Sequence, residues 1–292
     1  MFVKRVLAAL DVPPASRTWL RNILLTACRI DPRSRMAPDF LLIGAQKGGT
    51  SSVFLNLLYH PNILVPLNKE IFYFNEHFDQ SENWYLSHFP PEMARKRLEK
   101  RRGQRCITGE GSITYLCDAV VPERVKQHFP SVKLLAVLRD PALRAHSHFK
   151  HAIRLKNETR DFATAIRVEM DRIARGILQY EDPDTPYNEN TQYLVRGHYA
   201  DQLENWFKFF PREQMLILRS EDFFENPGVV YGEILDFLDL PQWAPGKFAS
   251  INIARNRVPF GQAERDLLAD YFRPHNRKLN ELLGRDFGWD AA

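Results

Sequence analysis

The segment Gly44-Ala45-Gln46-Lys47-Gly48-Gly49-Thr50-Ser51-Ser52 follows the apolar run Phe40-Leu41-Leu42-Ile43. It precedes a helical pattern, Val53, Phe54, Leu57 and Leu58, that Pro61 closes. A glycine turn between a buried strand and a helix leaves several backbone N–H groups aimed at one spot, where the helix dipole favours negative charge. Phosphate is the usual guest, and a tight turn with a solvent-facing lysine is the alternative. The nucleoside-triphosphatase loop carries its lysine directly after the last glycine. Here Lys47 precedes the Gly48-Gly49 pair, so this is not a Walker A loop, nor is it Gly-x-Gly-x-x-Gly. Placed there, Lys47 would meet an anion at its bridging oxygen while Gly48, Gly49, Thr50, Ser51 and Ser52 hold the outer oxygens. That suits a group transfer whose bridging oxygen leaves with added negative charge, because a fixed cation then stabilises the transition state more than the ground state.

Two further stretches could complete such a site. In Lys69-Glu70-Ile71-Phe72-Tyr73-Phe74 a carboxylate among aromatic and aliphatic residues could be partly desolvated and act as a general base, or be a surface glutamate beside a lysine. In "LLAVLRDPALRAHSHFKH" a buried strand ends at Leu138, Arg139 emerges at its C-terminal edge, Pro141 opens a helix and Ser147 lies about two turns in. Arg139 offers a planar fork to a second phosphate and Ser147 a hydroxyl. Ligands of open α/β folds bind at that edge of the sheet.

The elements that must position these groups follow from the same reading. Strands are expected at 40–43, 105–108, 132–138 and 214–219, and helices near 50–60, 91–102, 119–128, 141–156, 161–176 and 192–209, with helical turns around Pro274 ending at Gly284. Unalternating strands separated by helices predict a single α/β domain, a central parallel sheet flanked by helices, over 39–292. Residues 179–192, rich in turn formers and acids, predict a long surface loop. Trp84, Tyr85, Trp206, Phe207, Phe209 and Phe210 are expected in the core.

Of the 292 residues, 1–38 hold seven basic and two acidic side chains, a net of +5 out of the whole chain's +4, so the remainder is near neutral. No nucleic-acid partner is expected. Trp19, Leu20, Ile23, Leu24 and Ala27 give this basic extension a helical apolar face, which could lie on an anionic membrane surface or pack back on the domain. No run reaches the roughly 18–20 apolar residues of a membrane span, and no leader is recognisable, so a cytoplasmic protein is expected. Cys28, Cys106 and Cys117 are too few and scattered for a disulfide framework or a zinc site. His146, His148 and His151 share one helix, but their spacing does not bring three ligands together, and no metal is expected. The basic run 94–102 reads as a solvated helix face.

Taken in order, "GAQKGGTSS", "KEIFYF", "NWYLSHFP", "GEGSITYL", "LRDPALRAHSHF", "RGHYADQLENWFKFFP" and "YFRPHNRKLNELLGRDFGW" resemble the sulfotransferases that use 3′-phosphoadenosine 5′-phosphosulfate (PAPS). The resemblance is greatest to the glycan branch that includes the heparan sulfate N- and 3-O-sulfotransferases. It implies a P-loop-like fold, Lys47 on the sulfuryl-bearing phosphate, Gly48 to Ser52 as the 5′-phosphosulfate loop, Arg139 and Ser147 on the 3′-phosphate, and Glu70 as base. Adenosine 3′,5′-bisphosphate would be the leaving product and no metal would be needed. Arg255 and Arg257 fall where the family has a basic loop over the nucleotide, and could equally be solvated. Three departures stand out: Phe72 where relatives often carry a polar residue, Gly111 where heparan-modifying relatives carry lysine, and no late cysteine pair. These point to a bacterial-type enzyme whose acceptor is a carbohydrate, a glycolipid or a small alcohol. The rival readings are a P-loop nucleotide phosphotransferase and a catalytically silent nucleotide- or glycan-binding module.

Overall fold

Successive residues of the central strands point to opposite sides and meet two separate apolar layers, the pattern of a sheet covered on both faces. In the computed structural model, which describes residues 34–176, 192–250 and 258–290, Leu41, Ile43, Leu134, Ala136 and Leu138 belong to one buried cluster. Phe40, Leu42, Leu135 and Val137 belong to another. The first half of the chain runs β1 (Phe40–Gly44), α1 (Thr50–Leu57), β2 (Ile63–Leu64), α2 (Glu82–Leu86), α3 (Glu92–Arg102), β3 (Ile107–Glu110), α4 (Val121–His128) and β4 (Lys133–Leu138). It continues through α5 (Pro141–Arg154), α6 (Phe162–Ala174), α7 (Tyr199–Phe207), β5 (Met215–Arg219), α8 (Ser220–Glu225), α9 (Pro227–Phe237) and α10 (Gln262–Leu283).

The strand order is β2-β3-β1-β4-β5, and every pairing is parallel. The expected α/β architecture is thus the observed one. From β1 the chain passes to β2 and β3 on one side, and from β4 to β5 on the other, so the topology reverses between β1 and β4. A crevice opens outside the C-terminal ends of such a strand pair. One face of the sheet is covered by α1, α8 and α9, through Val53, Phe54, Leu57, Phe223, Ile234 and Leu235. On the other, α7 and α10 contribute Leu203, Trp206 and Leu279. A third cluster packs α5 on α6 and α10 through Ala145, Phe149, Ile166, Leu268 and Phe272.

Tyr85, Trp206 and Phe210 are buried as expected, whereas Trp84, Phe207 and Phe209 are partly exposed. Met36 is buried in the same core, and Arg35 bridges to Pro91. The packed fold therefore takes in residues just ahead of Asp39. The apolar pattern of residues 19–27, Cys28, Arg255, Arg257 and most of the acidic loop lie outside the described residues. Among those described, no helix is long and apolar enough to cross a membrane, and Cys106 and Cys117 are free thiols.

Candidate active site

The glycine loop begins where β1 ends, and the amide of Ala45 is held by the carbonyl of Val137 on β4 at 2.9 Å. Gly48 passes so close to that strand that a Cβ would stand 2.2 Å from the same carbonyl oxygen. Gly49, at φ +93°, turns the chain into α1, a conformation that a glycine adopts without steric cost. No side chain caps α1; the Ser52 amide donates to the Gly49 carbonyl at 2.9 Å, which leaves the amides of Thr50 and Ser51 available to an anion. Lys47 itself has φ +69°, the left-handed region that non-glycine residues seldom occupy outside functional turns.

Around this loop lies a cavity of about 970 Å³ that Lys47, Gly49, Thr50, Ser51, Glu70, Arg139 and Ser147 all border. Three separate stretches of sequence thus converge, as expected. Gly48 and Ser52 stand behind the lining: Gly48 is pressed against β4, and Ser52 is fully buried. Arg139 follows the last residue of β4, and Asp140 caps α5 by accepting the amide of Leu143 at 2.9 Å. From α5 the cavity receives Leu143, His146, Ser147, Lys150 and His151, a stripe at helical spacing.

Lys47, Arg139, Lys150 and Arg265 border the cavity together with Glu70, Glu221 and Glu225, and the cations crowd around Lys47. Burial, followed by the charges of Arg154, Arg139, Lys150 and Arg144, pushes Lys47 down to about 8. Among the described residues neither the Lys47 ammonium nor the Arg139 guanidinium has a carboxylate partner. Like charges held this close favour a polyanionic ligand.

Glu70 is not the lone carboxylate that the sequence suggested. Lys69 donates to its Oε1 at 2.8 Å and to Ser51 Oγ at 3.2 Å, so one ammonium joins the acid to the anion loop. Phe72, at φ +55°, carries backbone strain of about 1–3 kcal/mol, which its surroundings must hold. Behind Glu70 lies a second acid, Glu110, fully buried and pushed up to about 7 by desolvation. Sequence reading passed over it because its position at the end of β3 shows only in three dimensions.

The three neighbouring histidines diverge. His146 stacks on Phe260 with ring centroids 4.5 Å apart, and burial lowers it to about 4. His148 is buried on the inner side of α5, and desolvation lowers it well below the usual range. His146 and His151 both border the cavity, and Arg154 donates to His151 Nδ1 at 2.8 Å. His198, Asp201 and His275 bring ligand atoms within 4.8 Å of one another, but they do not border this cavity, and Asp201 already pairs with Lys278 at 2.7 Å.

Residues from α8, Ser220, Glu221 and Phe224, close the opposite wall. Glu221 accepts the amide of Asp140 at 3.1 Å and the indole N–H of Trp289 at 3.4 Å. These contributions were not foreseen, because α8 itself was not. Lys150 and His151 were legible in principle, one turn beyond Ser147 on the same face.

Comparison with known proteins gives this geometry a family. The family described as Sulfotransferase domain matches residues 37–251, and the chain belongs to it. The protein is a PAPS-dependent sulfotransferase. It is 26% identical to the membrane-associated sulfotransferase kil1 of Dictyostelium discoideum, over 90% of this chain and 69% of that one. It is 27% identical to the mouse (Mus musculus) heparan sulfate glucosamine 3-O-sulfotransferase 6, over 89% and 75%. The solved sulfotransferase of Alicyclobacillus acidocaldarius superposes with a TM-score of 0.66 at 29% identity, covering 87% of this chain and 99% of that one.

Proposed function

We propose that the enzyme moves the sulfuryl group of PAPS to a hydroxyl or amine of a carbohydrate, glycolipid or small-alcohol acceptor by in-line displacement. The observation that carries this reading is that Lys47 and Glu70 border one cavity. In the reaction the acceptor oxygen or nitrogen bonds to sulfur as its proton passes to Glu70. The bond from sulfur to the bridging phosphate oxygen breaks, and adenosine 3′,5′-bisphosphate leaves. Lys47 and the α1 amides neutralise the charge that develops on that oxygen. Arg139 and Ser147, on the far side of the loop, would take the 3′-phosphate. Nothing in the step calls for a metal ion. A carbohydrate acceptor is favoured because the mouse relative is named for a heparan sulfate glucosamine.

The test is a screen of candidate acceptors with PAPS, read by mass, in the wild-type chain and in Glu70→Gln. The variant should bind adenosine 3′,5′-bisphosphate normally and transfer no sulfate, and chelator should leave the wild-type rate unchanged. Full transfer by Glu70→Gln would remove that residue as the base.

A separate proposal concerns location. With net +5 in residues 1–38, a cytoplasmic enzyme would be drawn to anionic lipid at up to about 1 kcal/mol per basic residue near the surface. The name of the Dictyostelium relative supports this. Sedimentation with phosphatidylserine-containing vesicles, but not with neutral ones, is the expected result; equal recovery with both would refute it.

A further inference from the structure

Glu70 stands on neither a helix nor a strand. The irregular stretch that carries it lies along the segment after β3 and is fastened to it at successive points. Gly111 N–H donates to the Lys69 carbonyl at 2.7 Å. The amides of Ile71 and Phe72 both donate to Ser112 Oγ, at 3.1 and 2.9 Å. The Phe74 amide reaches Tyr115 Oη at 3.3 Å and the Asn75 side chain reaches Thr114 Oγ1 at 3.0 Å.

Ser112 is the centre of this arrangement. Its two acceptor positions are filled by the two amides, so its single proton must point elsewhere. It points to Glu110 Oε2, 2.7 Å away. Ser112 and Glu110 are both buried, at 1% and 0% exposure, so water does not replace either bond. The amides that they hold belong to the two residues directly after Glu70, and the second is Phe72, whose positive φ is unfavourable for a phenylalanine.

We propose that Glu110 and Ser112 form a positioning unit that fixes the backbone after Glu70 and so aims its carboxylate at the acceptor. Neither residue borders the cavity; they act through Glu70 and take no part in proton transfer. The inference rests on the reading of Glu70 as base. It also assigns a use to the Ser112 hydroxyl and to the buried acid at the end of β3.

The experiment follows turnover of PAPS, to water or to an acceptor found by the screen, alongside calorimetry with adenosine 3′,5′-bisphosphate. Ser112→Ala should lower kcat about 10–100-fold, the effect of a misaimed group, while nucleotide affinity and the donor KM stay within about twofold. Ser112→Thr, which keeps the hydroxyl, should recover most of the rate. Glu110→Leu should match Ser112→Ala, and the double variant should lose no more than either alone, as expected of one unit. A merely structural role would move affinity and stability together and would leave the two losses additive. If Ser112→Ala does not fold, Glu110→Leu and Glu110→Gln carry the test. Folded variants with wild-type kcat would overturn the proposal. A wild-type chain that binds the nucleotide but never turns over PAPS would instead defeat the base assignment, and this inference with it.

Discussion

Lys69 Nζ lies 2.8 Å from Glu70 Oε1, so the candidate base is tethered by its own chain neighbour. Both side chains are partly solvent-exposed, at 20% and 33%, and such a pair contributes at most about 1 kcal/mol to stability. Its effect should appear in the rate instead. Lys69→Met should reduce transfer about tenfold by releasing the carboxylate, with Tm changing by no more than about 3 °C. Thermal unfolding and a sulfate-transfer assay on the same preparation check the two halves.

Arg139 has no carboxylate partner among the described residues, although Glu70, Glu221 and Glu225 border the same cavity. Arg139→Ala should therefore weaken adenosine 3′,5′-bisphosphate binding about 10–100-fold, as expected for a charged hydrogen bond of roughly 1.5–3 kcal/mol. Ser147→Ala, one neutral donor, should cost about tenfold or less. Calorimetry decides the matter, and unchanged affinity would take Arg139 out of the nucleotide site.

With Lys47 near 8 in the free enzyme, nucleotide binding should be linked to its proton. The anion favours the charged ammonium and raises its pKa, so affinity is fully present below pH 8 and declines as pH rises above it. The slope approaches tenfold per pH unit at most. Titrations in two buffers of different ionisation enthalpy should show proton uptake near pH 8.5. Lys47→Arg, charged throughout, should abolish the slope.

Gly48→Ala tests the packing of the loop on β4. A methyl group placed 2.2 Å from the Val137 carbonyl cannot be accommodated without moving the strand or the turn. Destabilisation of about 1–3 kcal/mol is expected, together with weaker nucleotide binding. Denaturant unfolding measures the first effect and calorimetry the second.

The anion loop and Arg139 were readable because β1 and β4 are unbroken apolar runs, buried on both faces, that end in residues of unmistakable chemistry. Much of the rest depended on contacts remote in sequence. The segment 220–237 was passed over because Pro227 and Gly228 resemble breakers, yet Pro227 occupies the first turn of α9, where a missing N–H costs nothing. Strand β2 has two residues, too few for any periodicity. The helical turns around Pro274 and their end at Gly284 were legible, and α10 runs on through the proline to a left-handed cap there. That Glu70 stands beside a lysine was legible, but not that the two side chains meet, because adjacent residues on regular elements face apart and only an irregular backbone lets them pair. The positions of Glu70 and Ser147 were legible, but not the supports beneath them.

Trp289, beyond the end of α10, donates to Glu221, which holds the start of α5 in turn, and Arg285 pairs with Asp222 at 2.7 Å. The segment after α10 is consequently a strut of the cavity wall. A chain cut short around position 284 would disturb donor affinity from outside the cavity.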